Sequence, residues 1–200
     1  MNLPLLRTLG ATFGLVVFAA TTVSGAVLAE STATGGVASI FWGQSFTVVG
    51  GGSFTNIVAN FFTDSPAASP LAAGTGFLLS AAYTGAPGSL SSSTPGYLGQ
   101  AVGAGGFYSF GSSVTLLSGT QYFLFSNTMM AASGDVGSPY AGGSAYGGSG
   151  QFPTFSPSPD QDLAFRISGT AASSTPDGGS TLALLGLALG AVAVVRRKRS

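Results

Sequence analysis

The nine residues from Phe54 to Phe62, FTNIVANFF, limit the possible folds more than any other stretch of this chain. In an extended segment Ile57, Ala59 and Phe61 fall on one side, and Asn56, Val58 and Asn60 on the other. A period of two is the mark of a strand with one drier face, because successive side chains leave the pleat in opposite directions. The rhythm recurs in QDLAFRISG at 161–169. There Leu163, Phe165 and Ile167 are predicted to point inward, and Asp162, Ala164 and Arg166 outward, with Asp162 near Arg166. SVTLLSGTQYFLFSN at 113–127 reads as two short strands about a Ser-Gly turn. It places Tyr122 and Leu124 on one face and Phe123 and Phe125 on the other, which predicts a strand covered on both sides.

Further strand candidates are IFWGQSFTVV from Ile40, GFLLSAAY at 76–83 and the aromatic piece Phe107–Phe110. GGGS at 50–53 reads as the turn between the first two strands, and DSPAASPLAAG at 64–74, with two prolines, as a loop. TGAPGS, after Tyr83, is another turn. Ser31–Ala38 is small and polar, a flexible lead-in. Gly134–Phe155 has no period and reads as a long surface loop. Seven or so short strands, Gly-rich turns and no internal helix predict an all-β domain over 30–170. The expected architecture is an antiparallel, jelly-roll-like β-sandwich.

This body has material for a core and little for chemistry. The chain's fifteen Phe, all but Phe13 and Phe18 in this body, with six Tyr and one Trp, give it apolar bulk that disordered chains lack. Charged residues make up 6% of the chain, against about a quarter in ordinary domains. There is no Cys, so neither disulfides nor thiol chemistry is available. There is no His, which removes the commonest general base and metal ligand. Between residues 31 and 175 the charged side chains are Asp64, Asp135, Asp160, Asp162 and Arg166. That mildly acidic set offers no basic surface to nucleic acid.

Serines beside acids, with no base, are no hydrolase signature. Asp160 and Asp162, with Gln161 and Asp135, carry the oxygen ligands that Ca²⁺ takes. The spacing lacks the loop glycine and terminal Glu of a calcium motif, so these acids are read as solvated surface groups. The expectation is a protein that is not an enzyme and holds no cofactor or metal. Candidate ligand contacts are Trp42, Tyr140 and Tyr146. The two tyrosines and Phe152, spaced among glycines, form either an adaptable aromatic surface for sugars or loop rings folded back onto the body. Joint exposure of Trp42, Tyr140 and Tyr146 favours the first.

Both ends of the chain read as targeting segments. Residues 1–29 have the layout of a signal peptide: Arg7, an apolar run from Leu9 to Ala20, then small residues that fit cleavage after Ala26 or after Ala29. Residues 171–180 form a linker and a Pro-Asp-Gly-Gly-Ser break. Residues 181–195 are apolar after Thr181 and read as a transmembrane helix. The run is shorter than the roughly 20 residues of a full crossing. A thinner bilayer, or extension by Ser180 and the arginine stems, makes up the span. Arg196, Arg197, Lys198 and Arg199 follow within a basic tail at 196–200, which the positive-inside bias keeps in the cytoplasm.

Pro176, Asp177, Gly178, Gly179, Ser180 and Thr181, then LALLGLALG at 182–190, then RRKR at 196–199, resemble the PEP-CTERM protein-sorting signal. The variant is the one in which Pro-Asp-Gly-Gly-Ser-Thr replaces Pro-Glu-Pro-Ser-Thr. The resemblance implies processing by an exosortase, a membrane cysteine protease-transferase. It also implies delivery to the outer surface or extracellular matrix of a Gram-negative bacterium, often alongside exopolysaccharide. The body is similar to small β-sandwich domains that precede anchor signals in exported bacterial proteins. GQSFTV at 43–48 and DLAFRI at 162–167 match their opening and closing segments. The expected partners are therefore signal peptidase, exosortase, the membrane and polysaccharide. The expected role is a non-catalytic surface or matrix protein, with a carbohydrate-binding module as the alternative.

Overall fold

Strands form at each stretch where the sequence alternates and at others where it does not, and consecutive strands often join different sheets. The structure is a computed structural model and describes residues 25–32, 35–63, 69–136, 140–149 and 153–172. In chain order the early strands are β1 (Ala26–Ser31), β2 (Val37–Thr47), β3 (Ser53–Phe62), β4 (Pro70–Leu71) and β5 (Thr75–Leu79). Next come β6 (Tyr97–Val102), β7 (Tyr108–Ser109), β8 (Leu116–Leu117), β9 (Gln121–Ser126) and β10 (Met130–Val136). The last are β11 (Ala145–Gly148), β12 (Ser156–Ser158), β13 (Gln161–Leu163) and β14 (Phe165–Ala171). A 3₁₀ turn at Pro87–Ser89 is the one helical piece among the described residues.

Two antiparallel sheets result. The first runs β1-β14-β3-β4, with β7 and β8 pairing along β3 as well. The second runs β12-β11-β2-β9-β5-β6, and β10 continues along β2 and carries β13. Leu28, Ile57, Phe61 and Phe165 from the first sheet meet Phe46, Leu78, Tyr122 and Leu124 from the second in one buried cluster. Ile57, Ala59 and Phe61 are buried, as the alternation in β3 predicts. A second cluster lies on the other face of β9. There Phe123 and Phe125 pack with Phe77, Leu79, Leu90, Tyr146 and Phe155, and Tyr83 lies against them. Strand β9 is thus covered on both sides, as its two aromatic faces require.

Gly43 faces Phe125 across the β2–β9 ladder. A methyl group on Gly43 would run into the Phe125 ring, so the glycine leaves the floor on which that ring rests. This cross-strand fit joins the central ladder to the outer cluster.

Several expectations need correction. The GGGS segment does connect β2 to β3, as expected, but it carries the chain from the second sheet to the first. Gly134–Phe155 is not one long loop: β10 extends into it, and β11 pairs with both β2 and β12. Strand β4 lies inside the expected 64–74 loop. The stretch 161–169 is two strands. Ala164 separates them, donating its N–H to Ser133 O and accepting from Phe62 N–H through its own carbonyl. It hands the chain from one sheet to the other, so Asp162 and Arg166 do not share a face.

Residues 26–29, read above as the end of a signal peptide, belong to β1. Residues 1–24 of that segment and the transmembrane helix expected at 181–195 lie outside the described residues. Among the described residues no helix is long and apolar enough to cross a membrane. Because β1 and β14 are antiparallel, Ala26 pairs with Gly169. The body therefore begins and finishes at one end of two neighbouring strands.

Candidate functional site

The three candidate aromatics do not form a shared exposed surface. Trp42 on β2 is 5% exposed and lies in the cluster between the sheets. Its indole N–H donates to Ala38 O at 3.1 Å. Tyr146 on β11 is 9% exposed and lies in the outer cluster. It meets Phe123 and Phe125 edge-on, with centroids 6.0 and 5.3 Å apart. Burial pushes its hydroxyl pKa up from the usual phenol value. Tyr140 is half-buried, its ring edge-on to Phe165 at 5.2 Å. Its hydroxyl donates to Thr47 O and accepts from Thr47 N–H, both at 3.1 Å. These rings fill apolar space, and the polar atoms of Trp42 and Tyr140 are spent on backbone partners. That is the folded-back alternative for Tyr140 and Tyr146. Phe152 is outside the described residues.

The described acids do not gather into a metal site either. Among the described residues no three His, Cys, Asp or Glu side chains could hold an ion together. Asp160 is in an exposed turn, whereas Asp162, expected at the surface, is fully buried. Gln44 Nε2 donates to Asp162 Oδ1 at 2.9 Å, and Tyr140 N–H donates to Oδ2 at 3.1 Å. Gln44 Oε1 accepts from Leu163 N–H at 2.9 Å, which closes the network. The network ties β2 to β13 and fixes the start of the 140–148 segment. Nothing local in the sequence announces it, since Gln44 is 118 residues from Asp162.

Burial raises the Asp162 pKa above the usual carboxylate value, and the Gln44 and Tyr140 donors only partly offset that. A raised acid means that the folded protein holds this proton more tightly than the unfolded chain. The contribution of Asp162 to stability is therefore greatest below its unfolded pKa and is lost as pH rises through the folded value. In Asp162→Asn this fall should disappear. The amide should also leave one of the two donors facing an N–H₂ group, at a cost of about 1–3 kcal/mol. Urea titrations of both proteins between pH 3 and 7 would check this; a parallel pH response would rule the network out as its origin.

Arg166 pairs with Glu30 rather than with Asp162. Its Nε donates to Glu30 Oε1 at 3.1 Å and its Nη2 reaches the same oxygen. The guanidinium is 5.9 Å from the Phe62 ring centroid. A partly exposed pair of this kind contributes up to about 1 kcal/mol. Asn60, Phe62, Pro70, Phe107 and Arg166 line a surface depression of about 320 Å³ on the outer face of the first sheet. A comparable one of about 310 Å³ lies near Trp42, bordered by Asp135 and Gln161. Neither lining brings a nucleophile together with a base.

The six residues Pro176–Thr181 and the basic Arg196–Arg199 lie outside the described residues. No curated protein and no solved structure matches this chain. Residues 176–199 match the model of the VPDSG-CTERM motif. Pro176, Asp177 and Gly179 agree with that motif's name, while Thr175 and Gly178 stand where it has Val and Ser. Residues 176–199 therefore carry a PEP-CTERM-like sorting signal of the VPDSG type.

Proposed function

We propose that this chain is an exported, non-catalytic surface or extracellular-matrix protein, sorted through residues 176–199 and processed there by an exosortase. The observation that carries this reading is the motif match, with its order of Pro-Asp-Gly-Gly break, apolar run and basic block. The folded body supports it too. Its two ends emerge side by side from β1 and β14, which suits a precursor that meets the membrane through a segment on either flank until both are cut away. The lack of His and Cys across the whole sequence supports a non-catalytic role. Any contact with polysaccharide would be weak and multivalent, since Trp42 and Tyr146 are committed to the interior.

Cell fractionation with intact-mass analysis tests the reading. The expected product is at the cell surface or in the medium and has lost both terminal segments. A surface product that keeps 181–200 would mean a plain membrane anchor without exosortase processing. A full-length product soluble inside the cell would overturn export itself.

A further inference from the structure

We infer that, within the export reading above, signal peptidase cuts this chain between Ala26 and Val27 and not between Ala29 and Glu30. Local sequence permits both bonds, since a small residue, Ala26 or Ala29, stands just before each. The fold separates them. Leu28 is 0% exposed and Ala29 3%, and both belong to the cluster between the sheets. Leu28 occupies a bulge in β1 and leans over Gly169, where an added methyl would come within 3.0 Å of Leu28 Cδ1 and 2.8 Å of Ile57 Cδ1. Gly169 thus makes room for both side chains. Leu28 O accepts from Val49 N–H at 2.8 Å, and Ala29 pairs with Ile167.

Cleavage after Ala29 would take all of this away. It would leave two of the six residues of an edge strand, strip the Val49 N–H of its acceptor and open a void beside Ile57. It would also leave Glu30, the partner of Arg166, as a terminal residue. Residues 25–27 are different. Gly25 and Ala26 are exposed and Val27 is 47% exposed, so the Ala26–Val27 bond lies at the open start of β1. Hydrolysis adds one water across that amide, catalysed by the peptidase. Ala26 leaves as the carboxylate end of the severed segment, and Val27 becomes the ammonium end of the body. Every buried side chain of β1 then stays with the mature protein.

N-terminal sequencing and intact-mass analysis of the exported product of the full chain test this. The expected first residue is Val27. A product beginning at Glu30, or at any other residue past the signal segment, overturns the inference and leaves export standing. An intracellular product still beginning at Met1 overturns both. Ala26→Tyr supplies a second arm, because it places a bulky side chain at an exposed position where the peptidase needs a small one. The variant should accumulate uncut at the membrane, with the body's protease resistance unchanged. Undiminished cleavage of Ala26→Tyr to the same product would also overturn the assignment.

Discussion

Truncating Phe125 to Ala should lower the unfolding free energy by about 3–5 kcal/mol, read from the urea midpoint of the purified protein. That is a large part of the roughly 5–15 kcal/mol that holds a domain folded. Phe125 is fully buried and is the hub of the outer cluster, with Phe155 at 4.7 Å, Tyr146 at 5.3 Å and Tyr83 at 5.9 Å between ring centroids. Its loss leaves a void that three rings from two separate segments cannot all refill. Gly43→Ala should also destabilise, by about 1–3 kcal/mol, because the new methyl meets the Phe125 ring. Combined, the two changes should cost less than their sum, since the methyl then enters vacated space. Coupling of roughly 0.5–3 kcal/mol is expected for residues in contact. Strict additivity would mean that the ring does not rest on Gly43.

The elements that could be read from the sequence are those whose information is local. The faces of β3 and the double covering of β9 follow from a period of two within a few residues. The sorting signal was legible for a similar reason: apolar length and a charge block are properties of composition that need no partner. What escaped depends on distant pairing. Tyr97–Val102 has a glycine at its centre and little apolar rhythm, and it becomes a strand because β5 offers it a ladder. Residues 145–148 look like low-complexity loop, yet Gly147 and Gly148 pair with Trp42 and Phe41. The segment 161–169 keeps an unbroken alternation across Ala164, so periodicity could not reveal the change of sheet there. Asp162 was misplaced for the same reason, because a carboxylate can be buried only where donors converge and its donors lie far along the chain.

Leu187→Asp should strip the chain from the membrane fraction. Leu187 is near the middle of the 181–195 run, where a carboxylate costs about 2.5–3.5 kcal/mol on insertion scales. That corresponds to roughly a hundredfold loss in partitioning, from a run that is already short for a full crossing. With so little surplus hydrophobicity, one charge should outweigh what the remaining Leu, Ala and Val residues supply. The measurement is membrane and soluble fractions of the full chain, blotted through the body, with Leu187→Ile as the control that keeps apolar bulk. The control should enter the membrane and be processed at the sorting motif, while the Asp variant should be released or degraded without processing there. Neutralising Arg196–Arg199 should act differently, leaving insertion possible but weakening the positive-inside bias proposed to keep that end in the cytoplasm. Full retention and processing of Leu187→Asp would mean that the run does not enter the bilayer, and that residues 176–199 act without the spanning helix proposed for them.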